Sequence, residues 1–180
     1  MSAWELYRPN ELLGSTADDV VKRLNFHAVK KKYTPTPQSI QAWHESVLLI
    51  QETLREASDR FDITAWGVLF EYQIPRRPLR PDVVLLAGTT VFVIEFKVGS
   101  ESFDRASLFQ VTEYAMDIRD FHKESLGLLV IPVLVSTQNK EKHGNRSVEG
   151  SMMTVACVAS SVQLAEVISK HVLNNVQQVE

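Results

Sequence analysis

Three residues in the middle of the chain, Asp82, Glu95 and Lys97, have the types and spacing that metal-assisted hydrolysis needs. Glu95 and Lys97 are two positions apart in the apolar run Val91–Val98. Side chains alternate along a strand, so these two share a face with Val91 and Val93, while Phe92, Ile94, Phe96 and Val98 take the other. Two charges at the end of an apolar strand are costly unless they are paired or bind a metal. Asp82 follows Pro81 and opens a second apolar run, Asp82–Leu86. Between the runs, Ala87-Gly88-Thr89-Thr90 has tight-turn chemistry, which makes the two strands antiparallel neighbours. Counting outward from that turn sets Asp82 beside Glu95 and Lys97. Two carboxylates at close range repel and call for a cation. A hard divalent ion suits them, because magnesium takes one or two carboxylates and keeps its waters. The residues alone leave two readings open, a metal centre or a salt-bridge cluster around Lys97.

The elements that must position these groups can be read from periodicity. Residues 1–15 are polar and irregular. A helix is expected after Ser15 or Thr16, with Asp18 and Asp19 in its first turn and Val20, Val21 and Leu24 inside. Lys30 to Pro37, with three lysines and two prolines, suits a loop. From Ser39 to about Arg60, Ile40, Trp43, Val47, Ile50 and Leu54 recur at helical spacing. Trp66, Val68, Phe70, Tyr72 and Ile74 then alternate as a first strand that runs to Pro75. On that strand Glu71 shares a face with Gly67, Leu69 and Gln73, opposite the large aromatics.

After the hairpin, Asp104 to about His122 reads as a helix with Leu108, Val111, Ala115, Ile118 and His122 on one side. Gly127–Val135 is nearly continuously apolar, the mark of a strand buried on both faces. Ser136–Gly150 reads as an exposed loop, Thr154–Ala159 as a last strand and Val162–Leu173 as a final helix. Phe103, Phe109 and Phe121 are read as core. The expectation is an α/β fold, a mixed central sheet of four or five strands flanked by helices. One domain is expected, with residues 1–36 as an N-terminal extension, 37–137 as the core and 138–180 as a C-terminal loop, strand and helix.

Composition narrows the class. The chain has 180 residues and a formal net charge of −3. An acidic total argues mildly against nucleic-acid binding, but basic residues bunch at Lys30–Lys32, at Arg76, Arg77 and Arg80, and from Lys140 to Arg146. Arg76, Arg77 and Arg80 flank the hairpin and are candidates for gripping a phosphate backbone, with a solvated turn as the plain alternative. A single cysteine, Cys157, excludes an internal disulfide and a cysteine-based zinc cluster, and fits a reducing cytoplasm. No apolar run approaches the roughly 20 residues of a membrane span.

The pattern Pro81-Asp82, then Glu95-Phe96-Lys97 across the turn, resembles the signature of the PD-(D/E)XK nuclease superfamily. The order helix, three strands, helix, strand is similar to that superfamily's restriction-endonuclease-like core. The resemblance implies that Asp82, Glu95 and the Phe96 backbone carbonyl hold magnesium or manganese, and that Lys97 orients the attacking water. It also implies in-line attack on a phosphodiester of DNA, or of RNA, with a 3′-oxygen leaving. Superfamily members often add an acid. Glu71, and Glu45 or Glu52 on the preceding helix, are the candidates, with solvated helix acids as the alternative for the last two.

Gln110 and Tyr114, four apart on one helix face, resemble a Gln-x-x-x-Tyr element found beside the active site in exonuclease-like branches. Their plain reading is a surface glutamine and a packing tyrosine. The stretches Glu71–Pro78, Val91–Gly99 and Gln110–His122 look like the N-terminal nuclease-like domain of bacterial Schlafen-related helicase proteins. That likeness, from about Ile40 to Thr137, implies a linked helicase in a longer parent protein and a role in phage defence or DNA repair. It leaves open a stand-alone nuclease, a homodimer, or a domain that binds nucleic acid or a partner without cutting. The chain itself contains no Gly-x-x-x-x-Gly-Lys-Ser/Thr phosphate loop.

Overall fold

Thr90–Lys97 is buried along nearly its whole length, as a strand covered on both faces must be. The other elements are arranged around it. In this computed structural model, which describes residues 3–121, 127–140 and 143–176, the chain opens with β1 (Glu5–Tyr7), α1 (Pro9–Leu13), α2 (Ala17–Lys30) and α3 (Pro37–Ser58). It continues through β2 (Gly67–Phe70), β3 (Val83–Ala87), β4 (Thr90–Lys97) and α4 (Arg105–Phe121). It ends with β5 (Leu129–Ser136), β6 (Gly144–Ser147), β7 (Thr154–Val158) and α5 (Ser161–Val176). The helices start where local chemistry satisfies their first free N–H groups. Thr16 accepts from Asp19 N–H at 3.1 Å, Thr36 from Ser39 N–H at 3.1 Å, and Asp104 from Ser107 N–H at 2.9 Å. Pro37 sits in the first turn of α3, where its missing N–H costs nothing.

The sheet has seven strands in the order β1-β2-β3-β4-β5-β7-β6, not the four or five expected. β1 to β4 are antiparallel neighbours, β4, β5 and β7 run parallel, and β6 returns antiparallel on β7. The five expected strands are all present, and the two extra ones are the edges. β1 lies in the segment read as irregular, pairing Glu5 with Phe70 and Tyr7 with Val68. β6 lies in the segment read as a loop, pairing Gly144 with Cys157 and Ser147 with Thr154. Strands of three and four residues are too short to show alternation, and the polar run Gly-Asn-Arg-Ser is edge-strand composition.

A second departure matters more. The first expected strand stops at Phe70 instead of Ile74, because Glu71 adopts φ 51°, in the left-handed region. The kink changes which face the later residues use. Val68 and Phe70 pack with Leu85, Phe92 and Ile94 under α2, α3 and α5, whereas Tyr72 and Ile74 pack with Val84, Val91 and Val93 toward α4. Irregular pairing resumes after the kink, with Tyr72 N–H donating to Pro81 C=O and Ile74 N–H to Leu79 C=O. Bulges of this kind sit beside functional sites and re-aim a side chain.

The segment expected as an N-terminal extension contributes to the core, since Trp4, Tyr7, Leu12, Val20 and Leu24 are buried with Trp43, Ile50 and Phe70. Phe103 is buried as expected, but Phe109 is 49% exposed on the outer side of α4. The Phe121 side chain and His122 lie outside the described residues. No described helix is long and apolar enough to cross a membrane. Trp4 meets Trp43 edge-on at 6.1 Å and lies under the Arg80 guanidinium at 4.2 Å. Trp4→Ala is therefore expected to lower unfolding free energy by about 3–5 kcal/mol in urea titrations. A loss under about 1 kcal/mol would mean the N-terminal strand is a dispensable appendage.

Candidate active site

The hairpin places the three singled-out side chains where counting from the turn put them. β3 pairs with β4 so that Val83 faces Ile94, and Asp82 comes one step before that pair, beside Glu95. Just past the end of β2 the same row continues to Glu71, whose N–H donates to the Asp82 carbonyl at 2.8 Å. Glu71, Asp82 and Glu95 thus lie in a row across three strands, at the rim where β4 and β5 end. They line a cavity of about 440 Å³ that α3 closes with Trp43 and α4 with Gln110 and Tyr114.

Each member of the row has a distinct set of partners. An Asp82 carboxylate oxygen accepts from the Phe96 N–H at 2.8 Å, so the aspartate caps the end of the hairpin. Glu95 Oε1 accepts from Lys97 Nζ at 3.1 Å, while its buried Oε2 has no hydrogen-bond partner. Lys97 Nζ also donates to Gln110 Oε1 at 2.9 Å, and Gln110 Nε2 donates to the Tyr114 hydroxyl at 2.7 Å. The candidate pair on α4 therefore reaches the strand residues through a chain of hydrogen bonds. Glu71 is held differently. The Trp43 indole N–H donates to it at 2.6 Å, and the Arg80 guanidinium forms an ion pair with it.

Burial dominates the electrostatics. It raises the Asp82 carboxyl above its ordinary range, against the Phe96 N–H and the Lys97 and Arg80 charges. Burial and then the Asp82 charge push Glu95 up to about 8, with Lys97 opposing. The same two causes push Glu71 up to about 7, against Arg80 and Trp43. Tyr114 is raised by burial. Three acids that resist ionisation at one rim form an environment that favours an added cation.

The residues fit a divalent metal in one particular way. The orphaned Glu95 Oε2 and the Asp82 carboxylate are the oxygen donors on hand, and the hydrogen-bonding of Glu71 is already taken up by Trp43 and Arg80. Among the described residues no group of three or more His, Cys, Asp or Glu side chains could by itself hold a metal ion. Two carboxylates without a full protein cage suit magnesium, which keeps several of its waters.

The remaining candidates are sorted by position. Glu52 is exposed on α3 and does not line the cavity, and Glu45 is half-buried beside Phe96 and Lys97, accepting from Gln41 at 2.9 Å. Arg77 pairs with buried Asp117 at 2.9 Å and with Glu113 at 3.4 Å, and Arg76 is exposed at φ 63°. Arg80 stacks over Trp4 while it pairs with Glu71. Sequence reasoning overlooked Trp43 as a site residue, reading it only as core. The signal available was its indole N–H, which needs an acceptor once buried. No protein-family model matches this chain, and no curated protein matches it. Fold and site together define an α/β protein with an acidic centre at one end of a mixed sheet, beside the end of β4.

Raised carboxyl values carry a sign for stability. Between the ordinary carboxylate range and about 8, the folded chain binds more protons than the unfolded one through Glu71 and Glu95, so stability falls as pH rises. In EDTA the melting temperature is expected to drop from pH 5 to pH 8.5. Glu95→Gln is expected to flatten that drop, and millimolar magnesium to reverse it mainly at the alkaline end. A melting temperature that climbs across this range in EDTA would contradict the assignment.

Proposed function

We propose that the chain is a metal-dependent nuclease with a PD-(D/E)XK-type core, hydrolysing phosphodiester bonds in DNA first and RNA second. The observation that carries the reading is that Asp82, Glu95 and Gln110 line one cavity at the sheet rim while Lys97 hydrogen-bonds to both Glu95 and Gln110. Asp82 and Glu95 would hold the metal, with the Phe96 carbonyl as a further ligand. When bound, magnesium or manganese supplies an acidified water and neutralises phosphoryl oxygens. Lys97 presents its ammonium beside Glu95, where it orients the water and balances the charge that develops on the phosphate. Gln110 fixes the Lys97 head group, and Tyr114 fixes Gln110. Glu71 and Arg80 form the wall next to Asp82 and hold its position.

One observation favours a second reading, a domain of this fold that binds nucleic acid or a partner without cutting. The net charge is −3, and Arg77 and Arg80 are engaged in internal ion pairs, which leaves less positive surface for a polyanion. A linked helicase, and work in defence or repair, rest on the sequence resemblance alone.

The two readings separate in one set of assays. The nuclease reading expects cleavage with magnesium and none in EDTA. Asp82→Ala and Lys97→Ala should each slow cleavage by about 10²-fold or more, the scale of losing one charge-stabilising group. Variants that cleave as fast as the parent would sink the assignment. The binding reading expects no cleavage under any condition and no magnesium heat in calorimetry.

A further inference from the structure

A second cavity adjoins the carboxylate site. It has a volume of about 580 Å³ and is lined by Trp4, His27, Lys31, Gln73, Arg76 and Arg77. Gln73 lines both cavities, and the Arg80–Trp4 stack stands between them. The surface therefore continues from the acidic rim onto a basic groove between the end of α2 and the connection from β2 to β3. Lys31 and Arg76, which line it, are both exposed. At the mouth of the acidic cavity, Tyr33 is 39% exposed, with its ring 6.3 Å from that of Trp4 and 5.5 Å from the Arg80 guanidinium.

We propose that this groove is the track for a single-stranded nucleic acid, with Lys31 and Arg76 on its phosphates and a base stacked on Tyr33, so that the substrate is a single-stranded end or flap. The proposal deepens the nuclease reading and rests on it for the cutting step. Three observations support it. Glu95 is only 5% exposed, so a phosphate must enter the cavity to reach it, and about 440 Å³ is small-ligand size. A paired base would have to leave its duplex to follow. An exposed aromatic ring beside cationic side chains is the arrangement that holds unpaired bases and a charged backbone together. The positive charge is also local, which suits a short strand segment better than a long duplex on a chain of net charge −3.

Fluorescence anisotropy of the full chain in EDTA tests this directly, with a labelled twelve-nucleotide single strand of DNA, the same strand in RNA, and a blunt duplex. Either single strand is expected to bind at least tenfold tighter than the duplex. Lys31→Glu with Arg76→Glu should weaken it and reduce the slope of log affinity against log salt by about 1.4, for two phosphate contacts on a single strand. Tyr33→Ala should weaken it about tenfold, the scale of one stacked base, and Tyr33→Phe should restore it. These side chains are exposed, and melting temperatures check that each variant folds. Equal or tighter duplex binding, or an unchanged salt slope in the double variant, overturns the track. Cleavage of duplex without single-strand preference overturns it and leaves the nuclease reading standing. Single-strand binding without magnesium-dependent cleavage does the reverse.

Discussion

The row Glu71–Asp82–Glu95 is the constraint on which the rest of this structure depends. Three buried carboxyl groups side by side at the sheet rim repel one another and lose solvation together. Such a row persists only where positive groups and donors are held against it from every side. Lys97 does this for Glu95, the Phe96 amide for Asp82, and Arg80 with Trp43 for Glu71. Each of those partners needs support of its own. Gln110 and Tyr114 hold Lys97 from α4, and Trp4 on the N-terminal arm lies against Arg80. The acidic rim therefore accounts for why an edge strand, two helices and a bulged connection all meet at one end of the sheet.

Much of this was legible before any coordinates. The tight turn at Ala87–Thr90 and the apolar run Val91–Val98 are local signals, and they place Asp82, Glu95 and Lys97 together because hairpin register follows from turn geometry. The spacing of Gln110 and Tyr114 was equally local, and the helix that carries them packs where the pair can reach Lys97. The helix start after Ser15 or Thr16 followed from capping chemistry, whereas α3, expected from Ser39, begins at Pro37 behind the Thr36 cap.

What escaped was non-local. The bulge at Glu71 leaves no mark in composition, because a lone non-glycine residue at positive φ is held there by its surroundings and not by its own preference. Alternation through Tyr72 and Ile74 accordingly suggested one continuous strand, although those side chains cross to the opposite layer. The short edge strands were invisible for a different reason, since their pairing is dictated by exposed backbone on β2 and β7. Arg80 had the composition of a phosphate contact, and only the fold shows it turned inward onto Glu71 and Trp4.

The stack of Arg80 on Trp4 ties position 4 to position 80, and the parallel pairing of β4 with β5 ties position 97 to position 136. Contacts this distant in sequence form late and slowly, because long loops must close first. During synthesis the N-terminal arm emerges long before the strands that it braces. An incomplete chain therefore carries the acids without their restraints, and the centre matures only once α4 and β5 have left the ribosome.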